Sequence, residues 1–87
     1  MTLTVENTEV FIMKSMQISL QMANQVKNFV NIVQNYTFDI DLRSDRYVVD
    51  AKSLLGIFSL DTSKPLTVEI HSDDCDALIE ELKQFAI

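Results

Sequence analysis

The chain has 87 residues, 47% of them apolar, with seven basic and thirteen acidic side chains and a formal charge of −6. That length holds one modest core and excludes a second, and the apolar share excludes a disordered chain. The acidic excess repels phosphate backbones and anionic membranes, which sets nucleic acid aside and leaves other proteins as the natural partners.

A lone cysteine excludes an internal disulfide and suits a reducing cytoplasm. The opening MTLTVENTEV has no basic region followed by an apolar stretch, so it does not read as a signal peptide. No apolar run approaches the roughly 20 residues a membrane helix needs. The expectation is a single cytoplasmic domain over residues 1–87, without linker, repeat or low-complexity tract.

In chain order, TEVFIMK suits a first strand, with Val10 and Ile12 among its β-branched residues. From about Ser19 the period changes: Met22, Val26, Phe29, Val30 and Val33 recur at three- and four-residue steps. Polar Gln21, Asn24, Gln25, Lys27, Asn28 and Asn31 fill the other face. This predicts an amphipathic helix ending near Asn35 or Tyr36, with Ser15 and Ser19 both candidate caps. TFDIDLR alternates strictly, Phe38, Ile40 and Leu42 against Asp39, Asp41 and Arg43, as a half-buried strand does. Ser44-Asp45 turns the chain, and RYVVD returns as its hairpin partner.

Ser53 to Phe58 reads as a short helix, and LTVEIH alternates again, with Leu66, Val68 and Ile70 inward. SDDCDALIEELKQF reads as a last helix capped by Ser72, with Asp73, Asp74 and Asp76 in its first turn. Its apolar stripe is Cys75, Leu78, Leu82 and Phe85. The order βαββαβα predicts an α+β open-faced β-sandwich: a mainly antiparallel four-stranded sheet with three helices on one face. Asp39, Asp41, Thr67, Glu69 and His71 would lie on the other, wet face.

The stretch AKSLLGIFSLD makes the pattern specific. Lys52, Ser53, Leu54, Leu55, Gly56, Ile57, Phe58, Ser59 and Leu60 resemble, without a gap, the segment around the regulatory serine of HPr. HPr is the histidine-containing phosphocarrier protein of the bacterial sugar phosphotransferase system. The likeness runs from about Asp39 to Phe85, and the HPr family has the same order of elements. It implies that Ser53 is a regulatory phosphorylation site and that Leu54, Leu55 and Phe58 form a partner-binding surface. It implies partners among phosphotransferase system components or a serine kinase.

The family's relay histidine stands just before the first helix, within a glycine, apolar, histidine, alanine, arginine, proline pattern. Extending the match back from Ser53 sets that window at LQMANQV, with Met22 in place of the histidine, Asn24 of the arginine and Gln25 of the proline. A thioether forms no phospho-intermediate comparable to that of an imidazole nitrogen. His71 is the chain's one histidine, and its place on the polar side of the last strand reads as a surface imidazole. Cys75 reads as core, the aspartates as helix-dipole charges and not a calcium loop, and no phosphate loop or catalytic triad occurs. No catalytic residue, metal or cofactor is expected.

The expected function is therefore a non-enzymatic, HPr-like regulatory or protein-binding module not competent for phosphohistidine relay. The alternatives are a phosphocarrier that uses His71 or Ser53, and an oligomerising scaffold joined through the first helix and unrelated to sugar transport.

Overall fold

Alternation builds the sheet. In the structure, a computed structural model that describes residues 13–87, β1 (Met13–Ile18) turns Lys14, Met16 and Ile18 to the core side and Ser15 and Gln17 to solvent. β2 (Ile40–Ser44) and β4 (Leu66–His71) bury every second residue in the same way. β3 (Tyr47–Asp50) closes the hairpin after β2, with Asp45 at φ 53° in the turn. The strand order is β1-β4-β2-β3, and all three pairings are antiparallel.

Three helices cover the apolar face. On α1 (Ala23–Val33) the buried residues Val26, Phe29, Val30 and Val33 follow one stripe. α2 (Leu54–Phe58) buries Ile57, and α3 (Asp76–Leu82) buries Leu78 and Leu82 before a 3-10 turn at Lys83–Phe85. The core joins Ile18, Leu20, Ile40, Leu42, Leu66, Val68 and Ile70 to these helical residues. Phe29 and Phe85 meet edge to face, ring centroids 5.9 Å apart. This is the four-stranded, three-helix open-faced sandwich expected from the spacing.

Several boundaries differ from the expectation. Most of the TEVFIMK strand lies outside the described residues, and the described strand runs to Ile18. Neither Ser15 nor Ser19 caps α1: Ser15 is within β1, and the Ser19 amide donates to Phe85 O at 2.9 Å, holding the C-terminal turn. Met22 caps instead, its amide donating to Gln25 Oε1 at 3.0 Å, and its side chain is 62% exposed, not part of the buried stripe.

Ser72 does not cap α3. Its hydroxyl accepts from the Asp74 amide at 3.1 Å, which closes a turn ahead of the helix and leaves Cys75 as the N-cap. Of the three aspartates, only Asp76 lies in the first helical turn. Cys75 is buried, and burial pushes its thiol pKa up, an effect the neighbouring aspartates reinforce and Lys14 opposes. A group so held stays a protonated core residue at neutral pH.

Candidate functional site

The site implied by the sequence has two parts, the start of α1 and the start of α2. At the first, the chain leaves Leu20, buried, and reaches Met22 in extended conformation (φ −104°, ψ 143°) before winding into the helix. Gln21 reaches over to accept a place against the 61–65 loop, its Nε2 donating to Ser63 O at 3.5 Å. The first turn of α1 carries Ala23, Asn24 and Gln25, with no charged side chain among them. Neither arginine serves this end: Arg43 is bound to Glu69 on the open face, and Arg46 sits in the hairpin turn. A phosphate here would find backbone N–H groups but no imidazole to carry it.

His71 lies elsewhere. In register it pairs with Met13, whereas Ile18, the end of β1 that leads to α1, pairs with Leu66. Five strand positions separate these ends, about 16 Å along the sheet. The imidazole also faces the open side, Nε2 lying 2.9 Å from Asp41 Oδ2, beside a hollow of about 330 Å³ lined by Asp39, Ile40, Asp41, Asp50 and His71. Next to it, Arg43 binds Glu69 in a fork, Nε to Oε2 at 3.0 Å and Nη2 to Oε1 at 3.2 Å. The diagonal Arg43–Glu69 pair offsets the like charges of Asp41 and Glu69, which stand directly opposite each other in the register. Among the described residues, no group of three or more His, Cys, Asp or Glu side chains is arranged to hold a metal ion.

At the second part, Ser53 caps α2 in extended conformation, its Oγ accepting from the Gly56 amide at 3.1 Å. Gly56 has a reason inside the chain: a Cβ there would stand 3.1 Å from Ser53 Oγ and 3.3 Å from the Val49 Cβ. Its missing side chain seats α2 on β3.

Lys52 is engaged away from α2. Its Nζ donates to Tyr36 O at 2.7 Å and Phe38 O at 2.9 Å, so the ammonium ties down the loop after α1 and does not flank Ser53. Nothing in the local sequence signals this, because the acceptors lie 14 and 16 residues away. Tyr36, in the same loop, donates to Glu81 on α3, and that bond raises its pKa.

Of the three apolar residues, Leu55 is 83% exposed and Phe58 45%, while Leu54 is half-buried against the core. The structure thus places two of them on the surface and only part of the third. Met22 is a further exposed apolar side chain, which the periodicity had assigned to the buried stripe.

Ser53→Ala, which removes the cap, is expected to lower stability by about 1 kcal/mol, and Ser53→Asp to retain most of it, since Asp caps as well as Ser. Urea denaturation of the two variants checks the difference.

An antiparallel four-stranded sheet with three helices on one face and a serine-capped second helix defines the HPr-like class of open-faced sandwich. The family model described as "PTS HPr component phosphorylation site" matches residues 12–86, and the chain belongs to that family. The match extends the likeness back through β1 and α1, beyond the stretch from Asp39 legible in the motif. Among solved structures the chain is similar to the phosphocarrier protein HPr from Bacillus anthracis, at 28% identity and TM-score 0.68, over 87% of this chain and 96% of that one. No curated protein matches the sequence in a direct search. Among the described residues, no helix is long and apolar enough to cross a membrane.

Proposed function

We propose that this member of the HPr family does not relay phosphate through histidine and serves as a regulatory or protein-binding component. One observation carries the reading: exposed Met22 caps α1 at the relay position, while the sole histidine faces the opposite side of the sheet. A nucleophile at that point is a chemical requirement, and methionine supplies none. On this reading the chain acts as a single HPr-like domain over residues 1–87, without catalysis of its own, in the cytoplasm.

Leu55 and Phe58, with Leu54 at their base, are its contact surface for another phosphotransferase system protein. Exposed apolar anchors with a polar rim are the usual makings of such a surface. Ser53 is its point of regulation by a serine kinase: a phosphate there would add charge at the start of α2 and displace the Gly56 amide from Oγ.

The test is phosphate uptake. Incubated with phosphoenolpyruvate and the system's first enzyme, the protein is expected to show an unchanged intact mass, while a histidine-bearing HPr in the same tube gains phosphate. An acid-labile phosphate on this chain would overturn the proposal and assign relay to His71. An acid-stable one, lost in Ser53→Ala, would assign relay to the serine.

A further inference from the structure

β3 stands at the edge of the sheet. In the order β1-β4-β2-β3 it is bonded on one side only, to β2, among the described residues. An exposed edge of this kind is a template for another strand. The two exposed apolar residues on it are Tyr47, 68% exposed, and Val48, 43% exposed.

The hydrogen-bond phase decides which groups are available. The Ala51 amide donates to Ile40 O at 2.9 Å, so Ile40 and Ala51 form a bonded pair of the β2–β3 ladder. In an antiparallel ladder bonded and non-bonded pairs alternate. Tyr47 and Val49 therefore turn their backbone groups inward to β2, and Val48 and Asp50 turn theirs to the free edge. The Asp50 carbonyl is already taken by the Ser53 amide at 3.0 Å. What remains is the Val48 N–H and C=O, the Asp50 N–H and the carbonyl of Arg46.

A two-fold axis at Val48 uses all of these. Val48 then exchanges both its bonds with Val48 of a second copy, and each Asp50 N–H donates to the other copy's Arg46 carbonyl. The same register sets the Arg46 side chain opposite Asp50, twice, and Tyr47 opposite half-buried Val49. Arg46 is exposed and has no ion pair among the described residues, and Asp50 is exposed and holds only the Lys52 amide at 2.9 Å. Shifting the register two residues either way puts both charges opposite uncharged neighbours or leaves them beyond the ladder. Charge, apolar contact and backbone phase therefore agree on one arrangement.

We propose that two copies of this chain associate through β3, in antiparallel register centred on Val48, to form a continuous eight-stranded sheet. The interface is isologous, as a two-fold dimer requires. It uses strand addition as its mode, and four residues a side make it weak and concentration-dependent. This pairing is independent of the relay question, since it involves neither Met22 nor Ser53.

Sedimentation equilibrium on the full chain over a range of concentrations is expected to show a reversible monomer–dimer equilibrium. Arg46→Glu sets like charges opposite each other at two places and is expected to raise the dissociation constant about tenfold or more. Arg46→Glu combined with Asp50→Arg restores opposite charges in the same register and is expected to recover most of the association. Amide exchange at Val48 and Asp50 is expected to slow as concentration rises. A monomer at every concentration, a dimer indifferent to Arg46→Glu, or protection at Val48 that does not depend on concentration would each overturn the proposal.

Discussion

Phe29→Ala is expected to lower the unfolding free energy by about 3–5 kcal/mol, the range for truncating a buried aromatic ring. Phe29 is fully buried on the core stripe of α1 and meets Phe85 edge to face. Its loss removes apolar burial, leaves a cavity under α1 and releases the ring pair that ties α1 to the C-terminal turn. A domain of this size has a total stability on the order of 5–10 kcal/mol, so the variant keeps little margin. Phe29→Leu, closer in volume, is expected to cost less than half as much, though it too forfeits the ring–ring term of about 0.5–1.5 kcal/mol. Calorimetry or urea denaturation of both variants measures the difference. Equal losses would show that the ring pair, not the volume, governs the site.

The second large effect is expected at Lys52. Lys52→Met keeps most of the apolar stem but strips two charge-assisted bonds from the Tyr36 and Phe38 carbonyls. Hydrogen bonds to charged groups contribute about 1.5–3 kcal/mol each when well sheltered. The site is only part-buried, and water can replace the ammonium in part, so the expected net loss is about 2 kcal/mol. Lys27→Met, on the exposed face of α1, is the control and is expected to shift stability by no more than about 0.5 kcal/mol. If the two substitutions cost the same, Lys52 is not what holds the loop between α1 and β2.

Most of the sheet was legible from spacing because its two central strands mix charge and branching with a period of two. In β2 and β4 each carboxylate falls between buried aliphatics, and no helix could accommodate that pattern. The short helix was legible from Ser53 onward because a hydroxyl before a short apolar run suits a helix start.

The starts of α1 and α3 were not legible, for opposite reasons. Leu20 and Met22 continue the helical spacing backwards, yet Leu20 belongs to the core beside β1, and a Met, not a polar residue, holds the cap through Gln25. At α3 a good capping residue, Ser72, spends its oxygen on a turn instead. For the site, that the chain's one histidine, His71, does not precede the first helix could be read from the sequence. The destination of the Lys52 ammonium could not, because it depends on where the loop after α1 lands once the sheet has formed. Strand order was equally hidden, since alternation states which side a residue faces and not which strand lies beside it.

That strand order has a kinetic consequence. Among the described residues β1 is the first strand made, and its one strand partner there is β4, about fifty residues later; closing so long a loop is entropically slow. During synthesis the β2–β3 hairpin can zip locally, while β1 waits with its apolar side uncovered until the ribosome has released Leu66–His71. The last helix and its terminal turn, bonded to Ser19, then arrive as the clasp. The nascent chain is therefore most exposed to misassociation through its beginning, just when its end is still being written.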